Sequence, residues 1–322
     1  MRSIFTAIAG TAIGLLVASA AAVAEEPAVL SLIGENDIFG GTDQGYTNGL
    51  KVSYLSPEGK GRRLARLLLG AREQDAVRFG VAAGQSIFTP DDIDVAEPLP
   101  NQNPYAGWLY LEATSLVERE GGPIDILRIE AGVVGPAALA EDAQRTWHRI
   151  INARDILGWD NQLRNEPAFA VSLDRIWRPL RPGRGLAADI LPHLGASAGT
   201  VLTEARGGAT IRIGNNLGED ALPARIAPDI PAAGFHSAQG FTWQIFAGAE
   251  ARGVAHRIFL DGNTFRDSQS VQKKNFIGEF QAGFAFQSGG YSLAYTHVFR
   301  SKEYEGQDDR IDFGAVTLSA AF

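Results

Sequence analysis

The sequence contains no cysteine, a single methionine at its first position and, beyond its N-terminus, no long apolar run. The lack of cysteine excludes disulfides, thiol chemistry and thiolate metal sites. No segment after the N-terminus approaches the roughly 20 apolar residues that a spanning helix needs, which excludes a helical membrane protein. The formal net charge of −8 and the lack of a basic stripe argue against nucleic acid as a partner.

Residues 1–24 have the features of a secretory signal peptide. Arg2 supplies a positive start, residues 4–17 are mostly small and apolar, and residues 22–24 form an Ala-x-Ala cleavage site. An amphipathic N-terminal helix is the alternative interpretation. We predict cleavage after residue 24, which leaves an exported mature chain of residues 25–322.

Most of the mature chain alternates between apolar and polar residues with the period of two that is typical of β-strands. In 275–286, for example, Phe276, Phe280 and Phe284 share one face while Glu279 lies on the other. A soluble sandwich also alternates, so this pattern alone leaves two fold classes open. The candidate strands are 27–37, 46–55, 76–89, 105–117, 123–134, 166–177, 186–201, 205–214, 240–251, 273–286, 290–301 and 310–322.

Three features favour an all-β transmembrane barrel over a sandwich. The strands are about ten residues or longer, the length that crosses a bilayer at a tilt. Many aromatic residues lie at strand ends, as interfacial girdles require; they are Tyr105, Trp108, Trp177, Tyr291 and Phe322. The chain also stops at an aromatic residue that ends an alternating strand, which resembles the C-terminal signal of bacterial outer-membrane proteins. We therefore predict an antiparallel β-barrel in the bacterial outer membrane.

The number of strands follows from the connections. A thirteenth strand at 256–262 is conceivable, but bacterial single-chain barrels have an even number of strands. With twelve, the tight turn at 288–290 lies on the periplasmic side and the acidic segment 301–309 lies outside. We therefore predict about twelve strands, with an external loop at 252–272 and a simple periplasmic connection at 215–239.

One segment, 135–159, is not β-structure in this interpretation. It carries proline near its start and glycine near its end, as helices do, and it lies between strands 5 and 6 on the outer side. Gln144 and His148 are four residues apart and share one face of this helix. Asp155, two turns further on, is expected on the same face.

Polar groups of several types are expected to meet at the outer end of the barrel. The Glu-Asn-Asp triplet at 35–37 ends the first strand at the outer leaflet, and Thr47 begins the next strand beside it. The helix with Gln144 and His148 caps the same side. This arrangement brings a carboxylate, an amide, a hydroxyl and an imidazole to one level near the membrane surface.

An ordered set of sequence elements, which spans nearly the whole mature chain, resembles the outer-membrane lipid A 3'-O-deacylases and their broader relatives. The resemblance implies a twelve-stranded barrel with calcium-dependent activity and an active site between the barrel wall and an external helix. The functional positions of the family are retained here as Asn36, Asp37, Thr47, Gln144 and His148. The matching elements, in order, are "ENDIFGGTDQGYTNGLKVSY", "GQSIFTPDD", "NPYAGWLYLE", "GVVGPAALAEDAQRTWHRIINARDILGWDNQLRNEP" and the aromatic C-terminus.

Those residue types suit the hydrolysis of an ester, which needs a base for water and a stabiliser for the oxyanion. Histidine is the side chain whose ordinary pKa suits a general base, so His148 is the predicted base. Gln144 is a candidate to orient this base or the water. Thr47 is a candidate donor to the oxyanion or to the substrate, and Lys51 a candidate contact for a substrate phosphate.

The same resemblance predicts a Ca²⁺ site. Asp37, with an oxygen from Asn36 and a further one from Glu35 or Asp155, offers the hard ligands that Ca²⁺ prefers. The acidic residue that related proteins carry about two turns after the histidine is Arg154 here, followed by Asp155. The bound ion would polarise the acyl carbonyl.

These observations predict a monomeric outer-membrane esterase that removes a fatty acyl chain from the lipid A part of lipopolysaccharide, in contact with the surrounding outer-membrane lipids. A non-catalytic barrel, either a porin or a structural protein, is the first alternative. A serine-dependent outer-membrane phospholipase is the second. It would need a serine paired with a histidine on the barrel exterior, and no such pair is evident from the spacing.

Overall fold

The computed structural model describes residues 27–40, 45–152, 156–180, 185–217, 225–226 and 240–322. Within them, twelve strands form one closed barrel, and every neighbouring pair is antiparallel, including β1 with β12. The predicted twelve-stranded barrel is therefore confirmed, whereas the predicted signal peptide lies outside the described residues. The strands are β1 (Val29–Asn36), β2 (Gly45–Leu55), β3 (Ala76–Thr89), β4 (Ala106–Glu118), β5 (Ile124–Val134), β6 (Glu166–Ile176), β7 (Leu186–Gly199), β8 (Leu202–Asn215), β9 (Thr242–Arg257), β10 (Phe276–Ser288), β11 (Tyr291–Arg300) and β12 (Ile311–Ala321).

The alternation of each strand separates a lipid-facing surface from a polar lumen. In β6, buried and exposed residues alternate without interruption. Phe169 and Leu173 are exposed on the outer wall, whereas Ser172 and Asp174 are buried inside. Apolar residues outside and polar residues inside are the reverse of a soluble sandwich and are typical of a transmembrane barrel.

Ion pairs between strands lie in the lumen, together with two buried apolar clusters, one with Phe88 and Trp108 and one with Leu116 and Ile126. Arg206 on β8 contacts Asp174 on β6 at 2.6 Å, and Arg300 on β11 contacts Glu279 on β10 at 2.7 Å. All four side chains are almost fully buried. Each of these four charges thus has a partner, which the low dielectric of a barrel interior requires.

The turns and helices place the barrel in the membrane. The chain ends meet at one end of the barrel, where a two-residue turn also joins β10 to β11; this is the periplasmic end in outer-membrane barrels. The helices are α1 (Arg62–Leu69), between β2 and β3 at that end, α2 (Ala140–Ile151), between β5 and β6 at the outer end, and α3 (Ile258–Asp261) after β9. Over the described part of the chain, every helix is too short or too polar to cross a bilayer.

The connections between strands confirm one expectation and correct another. The segment 256–262 is not a thirteenth strand, because β9 continues to Arg257 and the chain then turns into α3. The connection 215–239 is not simply periplasmic, because its described residues Arg225 and Ile226 reach into the lumen. The backbone N–H of Ile226 donates to Glu35 Oε1 at 2.8 Å. The rest of 218–239 lies outside the described residues.

Candidate active site

Helix α2 is docked on the outer wall of the barrel. Its Ala140 belongs to an apolar cluster that includes Ile87 on β3, Tyr105 before β4, and Trp159 after the helix. A Cβ at Gly107 would lie 2.5 Å from the Cβ of Ala140. Glycine at 107, within "NPYAGWLYLE", is therefore what lets the helix approach the wall so closely.

The face of α2 that is turned toward the barrel carries the two predicted functional residues. Ala140, Gln144 and His148 follow one another at intervals of four and are all buried. Gln144 is 2% exposed and His148 is 8% exposed. Their neighbours Arg145 and Arg149 are exposed. The predicted sharing of one face by Gln144 and His148 is confirmed.

The amide of Gln144 is oriented by a residue that the sequence did not single out. The indole N–H of Trp159 donates to Gln144 Oε1 at 2.9 Å. The Nε2 atom of Gln144 is buried without a hydrogen-bond partner among the described residues. The amide therefore has two donor hydrogens in the buried contact between the helix and the barrel wall. The position of Trp159 in the quoted segment "DILGWDNQLRNEP" is the signal that was available in the sequence.

The chain after α2 is held by the loop before β4. The Tyr105 hydroxyl donates to the Leu157 carbonyl at 2.5 Å, and the Leu157 N–H donates to the Ile93 carbonyl at 2.8 Å. These bonds anchor the chain that follows α2 to the barrel rim. Asp155, predicted as a metal ligand, lies outside the described residues, as do residues 153–154.

Strand β1 ends at the Asn-Asp pair, where the backbone enters a turn. Strand β1 stops at Asn36, and a 3-10 turn runs over Asp37–Gly40. The Ile38 N–H donates to Asn36 Oδ1 at 2.8 Å, an Asx turn that fixes this bend. Asp37 is 1% exposed. Adjacent residues of an ideal strand point to opposite faces. Because Asp37 lies in the turn and not in the strand, this restriction does not separate it from Asn36.

Thr47 lies at an irregularity of the barrel wall. The pairing of β2 with β3 shifts by one residue between Tyr46 and Asn48, which leaves Thr47 as the extra residue of a bulge. The hydroxyls of Thr47 and Thr89 are 2.6 Å apart and buried. The Asn103 amide donates to the Thr89 carbonyl at 2.9 Å. Thr89 and Asn103, both within the quoted motifs, thus fix Thr47 at the rim.

Two predicted contacts are wrong. Lys51 does not face lipid, because it alternates with the exposed Leu50 and points into the lumen, where it contacts Glu112 at 2.5 Å. It is therefore not placed to meet a substrate phosphate. Glu35 likewise points into the lumen and accepts the bond from Ile226, so it is not placed beside Asp37 as a metal ligand.

Two of the predicted metal ligands, Asn36 and Asp37, lie among the described residues. Among them, no three His, Asp or Glu side chains converge to form a metal-binding cluster. Asp37 supplies one buried carboxylate, and Asn36 supplies an amide oxygen that already accepts the bond from Ile38. The chemistry of these oxygens suits Ca²⁺.

The Tyr304 hydroxyl connects two loops at the outer end of the barrel. The Tyr304 hydroxyl lies 3.4 Å from Asn103 Oδ1 and 3.5 Å from Asp91 Oδ2. Burial raises the pKa of the Asp91 carboxyl, and the negative charges of Asp308 and Asp309 add to this rise. Through Asn103, the loop 301–310 is thus connected to the residues that hold Thr47.

Comparison with protein families gives one match over nearly the whole chain. The family described as outer membrane protein LpxR matches residues 4–322. Among curated proteins, none matches this chain.

Solved structures of bacterial barrels match with low sequence identity. LpxR from Salmonella typhimurium is 18% identical, with 91% of this chain and 100% of that chain covered and a TM-score of 0.75. The β-domain of the Bordetella autotransporter BrkA is 10% identical over 93% of this chain and 100% of that chain, with a TM-score of 0.46. At these identities the first likeness shows the shared fold alone, and the second is too distant to bear on function.

Proposed function

Because the chain belongs to the LpxR family of outer-membrane proteins, we propose that it hydrolyses a fatty acyl ester of lipid A, as a 3'-O-deacylase. The observation that carries the proposal is the buried face of α2, where Gln144 and His148 are pressed against the outer end of the barrel wall. Asp37 directly follows β1, and Thr47 is the third residue of the neighbouring strand β2, at the same end of the barrel. A lipid in the outer leaflet reaches this level without entering the barrel.

In the proposed reaction His148 is the general base. Its imidazole removes a proton from water, and the resulting hydroxide attacks the acyl carbonyl carbon. When the tetrahedral intermediate collapses, the ester bond breaks and the imidazolium returns the proton to the sugar alkoxide. The products are a free fatty acid and a lipid A hydroxyl. Burial of the imidazole under α2 limits competing access of bulk water to this proton transfer.

Neutral donors in the pocket are suited to the developing negative charge. Gln144 is held through its carbonyl oxygen by Trp159, which leaves its NH₂ group to donate to the oxyanion or to the imidazole. The Thr47 hydroxyl is fixed by Thr89 and is a second donor of this kind. Both groups are oriented by hydrogen bonds to the protein before substrate arrives, so little reorganisation is needed.

We include a Ca²⁺ ion in the proposal, with Asp37 as its charged ligand and Asn36 and Asp155 as further ligands. A carbonyl oxygen has two lone pairs, so Asn36 can serve the ion while it accepts the bond from Ile38. When bound, the ion would supply Lewis-acid polarisation of the acyl carbonyl.

The contents of the lumen argue against the porin alternative. Ion pairs cross it at several levels, and Arg225 enters it from the periplasmic connection to contact Glu279 at 3.2 Å. A cavity of about 140 Å³ remains at the level of Lys51 and Arg128. Porins of about 16–18 strands leave an open aqueous channel instead.

The direct test is the release of fatty acid from lipid A. The purified full-length protein is incubated with lipid A in several detergents, with added Ca²⁺ or with a chelator, and products are identified by mass spectrometry. We expect loss of one acyl chain, only when Ca²⁺ is present, and no effect of serine-reactive fluorophosphonates. No acyl release in any detergent would reject the esterase, and fluorophosphonate inactivation would favour a serine-dependent phospholipase instead.

A further inference from the structure

Helix α1 lies on the outer wall of the barrel at its periplasmic end. Its Ala65 is fully buried against Val77 of β3 and Val117 of β4, with Leu69 partly buried beside it. Both valines are on the outward faces of their strands, since the neighbouring Arg78 is buried in the lumen. The helix therefore covers the wall on the side that faces lipid.

The start of α1 confirms this placement. A Cβ at Gly61 would lie 2.9 Å from the Cβ of Phe79, another outward residue of β3. One step further along the same outer face, Val81 is 45% exposed and Leu111 of β4 is 69% exposed. These are lipid-facing positions of the transmembrane band. Helix α1 thus lies directly below that band, where the bilayer meets the periplasm.

The side of α1 that turns away from the barrel is apolar. At 100° per residue, Leu64, Leu67 and Leu68 form one sector of the helix, adjacent to the sector that contacts the wall. Their side chains are 42%, 79% and 45% exposed. Exposing three leucine side chains of a surface helix to water is unfavourable in free energy, whereas the acyl region of a bilayer is a favourable environment for them.

The remaining sector of α1 is basic. Arg62, Arg63 and Arg66 lie together on it, and Lys60 precedes it. Between residues 60 and 72 the sequence has five basic residues and no acidic one, although the whole chain has a net charge of −8. The exposed Glu73 contacts Arg66 at 3.3 Å and offsets one of these positive charges. Arg62 is held in place by bonds from its Nη1 to the carbonyls of Arg72 and Glu73, at 2.9 and 3.1 Å. The local charge is therefore opposite to that of the chain.

We propose that α1 is an interfacial helix that binds anionic phospholipid of the periplasmic leaflet. The leucine sector enters the acyl region beside the barrel wall, and the basic sector contacts lipid phosphates. Eight residues are too few for a stable isolated helix, so packing on Val77 and Val117 holds α1 at this level. The contact fixes the depth and tilt of the barrel independently of the outer leaflet.

The absence of cysteine makes a site-specific test direct. A nitroxide label is attached to single-cysteine variants of the full-length barrel in vesicles of phosphatidylcholine and phosphatidylglycerol. Collisions with oxygen, which concentrates in lipid, and with a nickel chelate, which stays in water, are then compared. Leu111→Cys is the lipid reference, and Ser288→Cys, on the exposed periplasmic turn, is the water reference.

We expect the Leu67→Cys label to match the lipid reference and the Arg63→Cys label to match the water reference. A Leu67→Cys label with the nickel accessibility of Ser288→Cys would overturn the proposal. So would a label shielded from both reagents, which would indicate that protein, such as a second copy of the chain, covers the helix.

The charge part of the proposal is tested on bound lipid. Each basic group near an anionic surface changes partitioning by about five-fold, so the Lys60→Gln, Arg63→Gln double variant is expected to retain roughly 25-fold less phosphatidylglycerol by native mass spectrometry. Arg266→Gln, in an exposed outer loop, carries the same kind of charge change and is the matched control. Equal retention by the double variant and this control would overturn the assignment of anionic lipid.

Discussion

The lumen and the outer end of the barrel beside α2 both bury polar groups, but these groups have different kinds of partner. In the lumen, a charge contacts an opposite charge, as Arg206 does with Asp174. At the outer end, hydrogen bonds join neutral groups, as between Trp159 and Gln144 at α2 and between Thr47 and Thr89 at the rim. Paired charges hold a barrel closed, whereas oriented neutral donors leave capacity for a substrate. We therefore expect substitutions in the two regions to separate stability from activity.

The largest expected effect is on turnover. His148→Asn removes the proposed general base and should lower acyl release by about 10²–10⁴-fold. The fold should persist, because α2 lies outside the ring of strand pairs that closes the barrel. Fatty acid release and the heat-dependent electrophoretic shift of the folded barrel measure the two properties separately.

The matched control for this variant is Arg149→Gln, at the next residue of α2 and exposed. It should keep wild-type turnover. Wild-type turnover in His148→Asn on a confirmed lipid A substrate would show that another group is the base.

The converse effect is expected in the lumen. Glu279 contacts Arg300, Arg252 and Arg225 at 2.7, 3.3 and 3.2 Å, so Glu279→Gln leaves three buried cations short of a counter-charge. Loss of one partner of a buried ion pair typically costs about 3–5 kcal/mol. Denaturant unfolding of the barrel should show this loss, with turnover per folded molecule within about two-fold of wild type. A selective loss of turnover with normal stability would contradict the division between the two regions.

Calcium dependence gives the next largest effect. Asp37→Asn removes the charged ligand that we propose and should lower activity by at least about 10–100-fold, since even groups one step further from a metal have effects of this size. Excess Ca²⁺ should recover part of the rate, because the amide oxygen remains a weak ligand. The rate as a function of Ca²⁺ concentration measures this recovery, and Asp160→Asn, at an exposed residue after α2, is the control. A loss that no Ca²⁺ concentration changes would mean that Asp37 has another role.

How much of this was predictable from the sequence depends on the range of the interactions. Strands such as β6, predicted at 166–177 and found at Glu166–Ile176, follow from alternation, which is local. The lumen position of Lys51 was also encoded locally, since its neighbours Leu50 and Val52 face lipid. Its proximity to Thr47 in the chain does not determine the face of the strand on which it lies, whereas strand parity does.

Other features depend on contacts that a single sequence does not display. The bulge at Thr47 is set by its pairing with β3, and its partner Thr89 is 42 residues away. The entry of Ile226 into the lumen depends on Glu35, 191 residues distant. Helix α1 was missed for a different reason: eight residues with leucines on an exposed sector do not show the core-facing pattern that identifies a helix.

A smaller effect is expected from Trp159, which positions Gln144. Trp159→Phe keeps an aromatic ring against Tyr105 but removes the N–H that bonds Gln144 Oε1. Loss of one neutral hydrogen bond is worth about 1 kcal/mol, so kcat should fall about five-fold with little change in KM. If Trp159 acts through Gln144, the substitution should have no further effect in a Gln144→Ala background. Additive losses in the double variant would show that Trp159 has only a packing role.

The smallest effect is expected in the outer loops, where a change of pH alters the contact between Asp91 and the loop 301–310. Because burial raises the pKa of Asp91, the docked state binds a proton more tightly than the undocked state does. Docking of the loop 301–310 should therefore strengthen as the pH falls from neutral toward the ordinary carboxyl pKa of about 4, and weaken as the pH rises through the raised pKa. Hydrogen exchange of amides in 301–310, corrected for intrinsic rates, measures this change. Asp91→Asn should remove the pH dependence, whereas Asp92→Asn, at the exposed neighbour, should retain it. A pH response that survives in Asp91→Asn would assign it to other acidic groups of the outer loops.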